Sequence, residues 1–215
     1  MENIVCAGKT MDGRIIIDVT SEEGQKNRYY LRGARCGLSW PSASSPAYYC
    51  LLGQLVIGNI TGKYPLLLLK EGHEQLPGTL FQKMADDMGT FYCREIYVDP
   101  SDKFRSYTVM FNQFRHRERN LQGLHLRPAP FFQSFSHGVF IIKEWIKDEA
   151  LEISKESIVY NQLKTISAEN LRENPEESFY AINGMRFVVG AFETSACSPP
   201  SRRVPPGPVS LEAWT

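Results

Sequence analysis

The side chains best suited to metal-dependent chemistry are carboxylates at the ends of predicted strands. Asp99 closes the strand-like segment Tyr92 to Asp99, and Glu71 closes the segment Lys63 to Glu71. Mg²⁺ and Mn²⁺ are hard ions that take oxygen ligands, preferably charged ones. If the fold brings these strand ends together, the first chemistry to consider is a metal-dependent reaction with Asp99 as a ligand.

A second kind of chemistry is suggested by the densest basic stretch, Arg115-His116-Arg117-Glu118-Arg119. Arg105 lies upstream on the same predicted helix. One hypothesis is that Arg105, Arg115, Arg117 and Arg119 contact phosphates, with an affinity that falls as salt rises. The other is a solvated helix face whose basic end complements the helix dipole.

Other reaction classes lack the residues that they need. The four histidines are dispersed without zinc spacing, and no serine stands in a Gly-x-Ser-x-Gly turn. Gly8-Lys9-Thr10 resembles the end of a phosphate-binding loop, but position 3, where that motif needs glycine, is Asn. We therefore expect no ATP binding.

Composition describes an ordinary globular chain. It has 215 residues, of which 42% are hydrophobic, and its 24 basic and 24 acidic residues give a formal net charge of zero. A neutral balance provides no global field that would steer the protein to nucleic acid or to an anionic membrane. The apolar runs, such as Tyr64 to Leu69, are too short to span a bilayer.

The cysteines and the N-terminus indicate the compartment. Five cysteines are scattered without a CxxC pair, which is typical of reduced thiols, and we expect three of them in the core. The first residues lack the basic and apolar segments of a signal peptide. We expect a cytoplasmic protein with no membrane partner.

The elements that must position the candidate residues begin with three strands. Arg28 to Trp40, Ala47 to Asn59 and Lys63 to Glu71 are rich in strand-forming residues and are separated by turn-forming segments, which predicts an antiparallel meander. A further strand is predicted over Arg14 to Val19.

The pattern then changes to alternating helices and strands. Two strands are predicted, over Tyr92 to Asp99 and Leu124 to Leu126. Helical spacing of apolar residues predicts five helices: Pro77 to Gly89, Ser101 to Asn120 with Ser101 or Asp102 as its cap, Gly138 to Ala150, Lys155 to Ile166 and Pro175 to Phe192.

A meander followed by alternating elements predicts an α/β fold, with a mixed sheet and helices on both of its faces. This is the element order of the RNase H-like fold. We predict an N-terminal extension over residues 1–26, one domain over 27–195, and a disordered Pro-rich tail over 196–215.

Three segments resemble the RNase H-like nuclease domain of phage terminase large subunits. Cys36-Gly37-Leu38-Ser39-Trp40 is similar to the family's first strand, and Glu95 to Ser101 is similar to its fourth. Ala181 to Phe187 is similar to its last helix, which carries an Asp-Ala-apolar-Arg-Tyr run. The resemblance covers roughly residues 28–193 and implies a two-metal nuclease fold.

The resemblance also shows where the chain departs from the family. The three metal-binding acids of the family align with Ser39, Asp99 and Asn183, so one carboxylate remains of three. Two divalent ions held about 4 Å apart need carboxylates to offset their mutual repulsion. The positions of lost acids are Ser39 and Asn183, and Asp99 is the surviving one.

These departures lead to three hypotheses. The first is a non-catalytic domain that binds DNA or a phage assembly protein and needs no cofactor. The second is an active Mg²⁺- or Mn²⁺-dependent endonuclease whose acid set is rebuilt around Glu71 and Asp99, with Asp102, Glu176 or Glu177 as further candidates. The third is a protein-interaction domain with no nucleic-acid role, which the neutral charge balance favours.

Overall fold

The computed structural model describes residues 3–21, 23–56, 65–129, 134–167, 169 and 178–193. Within these ranges the chain forms eight strands and five α-helices. The strands are β1 (Asn3–Lys9), β2 (Ile15–Thr20), β3 (Lys26–Ser39), β4 (Ala47–Leu55), β5 (Leu66–Glu74), β6 (Glu95–Val98), β7 (His125–Pro128) and β8 (Leu151–Glu152). The helices are α1 (Pro77–Thr90), α2 (Arg105–Arg117), α3 (Phe135–Lys147), α4 (Ile158–Thr165) and α5 (Tyr180–Glu193).

The strands form one mixed sheet. Strands β3, β4 and β5 make the predicted antiparallel meander, and β6 then pairs in parallel with β3, as β7 does with β6. The spatial order β5-β4-β3-β6-β7, antiparallel on one side of β3 and parallel on the other, is the order of an RNase H-like sheet. The fold is therefore RNase H-like, as the sequence predicts.

Helices cover both faces of the sheet. On the back face, α1 packs on β4 and β5, and the core on this side, to which α2 also contributes, includes Tyr49, Leu51, Phe81 and Phe111. On the front face, α3, α4 and α5 pack over the other side of the same strands. All nine residues of β4 are buried, which is expected of a central strand with helices on both sides.

The first half of β3 extends the sheet toward the N-terminus. Strand β2 pairs with Lys26–Leu31 of β3, and β1 pairs with β2, so residues 3–20 add a hairpin to the same sheet. The alternation of Ile15, Ile17 and Val19 buries one side of β2 against the back-face core. The predicted strand over Arg14 to Val19 is thus β2, and β1 was not predicted.

The predicted helix over Ser101 to Asn120 is divided. Residues Asp102–Phe104 form a 3₁₀ turn, α2 begins only at Arg105, and extended backbone at Glu118 ends it. Ser101 occupies the N-cap position of the 3₁₀ turn, but its side chain makes no capping hydrogen bond, and Phe104 occupies the N-cap position of α2.

The remaining boundaries shift by a few residues for local reasons. Helix α3 begins at Phe135 because the Ser134 side chain caps it by accepting from the His137 amide, and Ser157 caps α4 in the same way. The Asn174-Pro175 start predicted for the last helix and the predicted tail over 196–215 lie outside the described residues.

Candidate functional site

The ends of β3 and β6 bring Ser39 and Asp99 side by side. Leu38 pairs with Val98 in the parallel register of these strands. The next residues, Ser39 and Asp99, are therefore neighbours across the two strands, whose backbones are about 5 Å apart. Both are buried, with 7% and 8% of their surface exposed. Ser39 is paired with Tyr48 of β4 and shares its side of the sheet, the front face.

Asp99 is fixed by the turn that follows β6. Its Oδ1 accepts a hydrogen bond from the backbone amide of Ser101 at 2.8 Å. Strand alternation places its side chain on the side of Tyr97, which pairs with Gly37 and faces the front. The strand end therefore presents this carboxylate to the same face as Ser39.

Helix α5 lies over this region because two glycines allow it to approach the sheet. A Cβ on Gly37 of β3 would collide with the backbone carbonyl of Gly184, and a Cβ on Gly184 would stand 2.7 Å from Tyr48 Cδ1. Asn183 precedes Gly184 and is 7% exposed. Ser39 and Asp99 thus lie at adjacent strand ends, and Asn183 lies on the helix that packs on the front face of β3 at Gly37.

Glu71 lies on the same face, but both of its carboxylate oxygens accept hydrogen bonds from other groups. One carboxylate oxygen accepts from Tyr48 Oη at 2.8 Å, and the other accepts from the backbone amide of Ile158 at 2.7 Å. Ile158 is the first residue of α4, and the first amides of a helix have no acceptor within the helix. Glu71 is therefore an N-terminal cap of α4, supplied by a distant strand.

The register also separates Glu71 from Asp99. Strands β5, β4, β3 and β6 are neighbours in that order, so three spacings, about 14 Å, lie between the two backbones. This is much more than the separation of two ligands on one metal ion. The structure does not bring Glu71 and Asp99 together, and Glu176 and Glu177 lie outside the described residues.

The donor set at Ser39, Asp99 and Asn183 does not fit a pair of divalent ions. It offers one carboxylate and two neutral oxygen-bearing side chains, whereas two hard ions need several charged oxygens. Among the residues that the structure describes, no three His, Cys, Asp or Glu side chains are grouped so that they could hold a metal ion. We therefore derive no metal-dependent step from this site.

Arg186 is a buried residue of this region, and its burial and its contacts with aromatic rings were not predicted from the sequence. It lies on α5, one turn after Asn183, is 8% exposed, and places its guanidinium 5.7 Å from the Phe135 ring and 5.1 Å from the Phe187 ring. Gly138 of α3 leaves room for its stem. A lone arginine in a largely apolar helix is the sequence signal that could have found it.

The four basic candidates do not form one cluster. Arg105 begins α2 and Arg117 ends it, which separates them by about 18 Å along the helix axis. Arg115 is half-buried and donates to the carbonyl of Leu124 at 3.2 Å, so it helps to hold the segment before β7. Arg105, Arg117 and Arg119 are exposed.

Three buried cysteines are consistent with the expected core thiols. Cys36 and Cys50 lie on β3 and β4, while Cys93 lies just before β6 rather than in a strand. Burial raises the pKa of all three thiols, that of Cys93 to about 12. They stay protonated at neutral pH and are poor nucleophiles.

Comparison with known proteins finds similarity to a solved structure. No protein-family model and no curated protein matches the sequence. The nuclease domain of g2p, the large terminase of bacteriophage SPP1, solved with bound Mn, is similar at 11% identity and a TM-score of 0.48. The match covers 73% of this chain and 85% of that one.

Helix length and polarity bear on the prediction that no segment crosses a membrane. Among the described helices, none is both long enough and apolar enough to cross a bilayer.

Proposed function

We propose that this chain is a terminase-nuclease-like domain that binds nucleic acid or an assembly partner of a phage or prophage without cutting nucleic acid. The observation that carries the proposal is the pairing at the ends of β3 and β6, where Ser39 stands beside Asp99. The motif resemblance of these strands and of α5 supports a terminase-nuclease-like domain. The uncharged side chains of Ser39 and Asn183 support the absence of catalysis.

Electrostatics explains why one carboxylate does not support two-metal chemistry. Two divalent ions about 4 Å apart repel each other by several kcal/mol even at a high effective dielectric constant. Carboxylates that bridge and flank the ions normally offset this repulsion. With Asp99 as the one carboxylate among the three aligned positions, the negative charge of these side chains does not offset a cation pair.

A cleavage assay tests the proposal. Supercoiled plasmid, linear duplex and single-stranded DNA are incubated with the protein in Mn²⁺ or Mg²⁺, beside an Asp99→Ala variant. We expect no cleavage above background for either protein. Metal-dependent cleavage by the native chain that the Asp99→Ala variant lacks would contradict the proposal.

The nature of the partner is decided by a binding assay at low salt. If nucleic acid is the partner, native protein at micromolar concentration shifts DNA, and an Arg105→Ala, Arg117→Ala, Arg119→Ala variant shifts it less. An Arg14→Ala variant removes a cation from the hairpin between β1 and β2 and is the control. The absence of a shift would contradict a nucleic-acid partner and would leave a protein partner as the proposal.

A further inference from the structure

The first turn of α5 is capped by a side chain that belongs to α4. The backbone amides of Ala181 and Ile182 donate to Gln162 Oε1, at 2.9 Å and 3.3 Å. The first amides of a helix have no acceptor within the helix, and a side-chain oxygen that accepts from them stabilises that end. The usual cap is the residue just before the helix, whereas Gln162 lies 19 residues before Ala181. This cap therefore holds the start of α5 against α4.

Helix α4 in turn needs support from outside itself. It has eight residues, and an isolated helix of that length is not stable in water. Apolar side chains bury one of its sides in the front-face core, and Ser157 caps it locally. Glu71 of β5 adds a second cap by accepting from the Ile158 amide at 2.7 Å. Because Gln162 lies one turn after Ile158, the position of its side chain depends on the first turn of α4 being formed.

The turn that Gln162 caps belongs to the candidate site. Tyr180 is the first residue of α5, and Asn183 lies three residues later in the same turn. Asn183 is the residue aligned with the third acid of the nuclease family, and it is 7% exposed. A displacement of this turn therefore moves Asn183 relative to the ends of β3 and β6.

We propose that Glu71 and Gln162 act in series as a relay of helix caps. Strand β5 holds the start of α4 through Glu71, and α4 holds the start of α5, with Asn183, through Gln162. Gln162 is thus a positioning residue for the front-face site, and Glu71 acts through it. This inference does not rest on the proposed function, because it concerns the order of two helices and not what binds beside them.

A second route from Glu71 to α5 runs through Tyr48 and has to be separated from the relay. Tyr48 Oη donates to Glu71, and the Tyr48 ring stands 5.9 Å from the ring of Tyr180. Tyr48→Phe removes the hydroxyl but keeps the ring, so it interrupts this route and leaves the bond between Glu71 and Ile158 in place. The relay requires that the route through α4 carry the effect.

Amide hydrogen exchange of single variants tests the order of the relay, with the amides of β4 as the reference for global unfolding. Gln162→Ala should accelerate exchange at the first amides of α5 by about fivefold or more and leave Ile158 unchanged, because alanine is a good helix former within α4. Glu71→Ala should accelerate exchange at both places. Asn161→Ala changes the exposed neighbour of Gln162 and is the control, which should change neither.

The double variant distinguishes a relay from two independent caps. If Glu71 acts through Gln162, Glu71→Ala has no further effect on the first amides of α5 once Gln162→Ala is present. Tyr48→Phe should leave these amides unchanged. If Glu71→Ala prevents folding, Glu71→Gln replaces it and should give smaller changes at the same two places. The proposal is overturned if removal of the Glu71 charge leaves α5 unchanged, if its effect persists in full without Gln162, or if Tyr48→Phe reproduces it.

Discussion

At the scale of single residues, Glu71 is one whose position decides its role. As an acid at a strand end it is a reasonable metal ligand from the sequence, because sequence does not show what stands opposite it. The structure gives both of its oxygens to Tyr48 and to the first amide of α4. Its charge therefore stabilises a helix terminus, and it accepts a hydrogen bond from a buried phenol. Burial, and to a lesser extent the Glu71 charge, raises the pKa of Tyr48.

Removing this carboxylate should destabilise the fold. We expect Glu71→Ala to lower the free energy of unfolding by about 1–3 kcal/mol, because it leaves the Tyr48 hydroxyl and the Ile158 amide without their acceptor. Urea denaturation measures the change, and hydrogen exchange at Ile158 should accelerate. Glu74→Ala, at the end of the same strand, is the control and should change stability by less than about 0.5 kcal/mol. Equal effects of the two variants would refute the capping role.

At the scale of elements, the contact between α5 and the sheet depends on glycine. We expect Gly184→Ala to destabilise the protein by about 1–3 kcal/mol, because its Cβ meets the ring of Tyr48, which is fully buried and bonded to Glu71. Gly190→Ala on the same helix meets nothing within 4 Å and should be neutral or stabilising by about 0.5–1 kcal/mol. Thermal denaturation compares the stability of both variants with that of the native chain. A Gly184→Ala protein as stable as the native chain would show that the fold does not require this close approach.

The elements also show what sequence can predict here. The meander and the alternating units could be predicted, because β3, β4 and α1 carry strong apolar periodicity between clear turns. Strand β1 could not, since Asn3, Ala7 and Gly8 have weak strand preference and the strand is defined by its pairing with β2. Strand β8 has two residues, too few for any pattern.

The candidate site divides in the same way. The resemblance places Ser39 and Asp99 at the ends of two strands, but the sequence does not show that these ends are neighbours, which follows from the parallel pairing of β3 with β6. The capping by Glu71 and the burial of Arg186 could not be predicted, because each depends on contacts between segments distant in the sequence.

At the scale of the whole molecule, buried thiols and phenols make the stability of the fold decrease as the pH becomes alkaline. Burial raises the pKa of Cys93 from 9.0 to about 12, and it raises the pKa values of Cys36, Cys50, Tyr48 and Tyr49 as well. The folded state thus keeps protons that the unfolded chain releases. This contribution is complete below about pH 9 and is lost as the pH rises toward 12.

The expected outcome is a progressive loss of stability in base. Urea midpoints should fall between about pH 8 and about pH 10.5, and Cys93→Ala should reduce the slope of that fall while lowering stability at pH 8. Midpoints that stay constant or rise over this interval would show that these groups are not held protonated in the fold.

The proposed function requires that Ser39 and Asn183 stand where a two-metal nuclease site needs carboxylates. The most direct test is a Mn²⁺ titration of the native chain and of a Ser39→Asp, Asn183→Asp variant, followed by calorimetry and by thermal denaturation. Ser42→Asp, Asn161→Asp is the control with the same change of charge. We predict no Mn²⁺ binding by the native chain or the control, and binding with a rise in melting temperature for the variant that restores the acids. Tight Mn²⁺ binding by the native chain that Asp99→Ala abolishes would contradict the account.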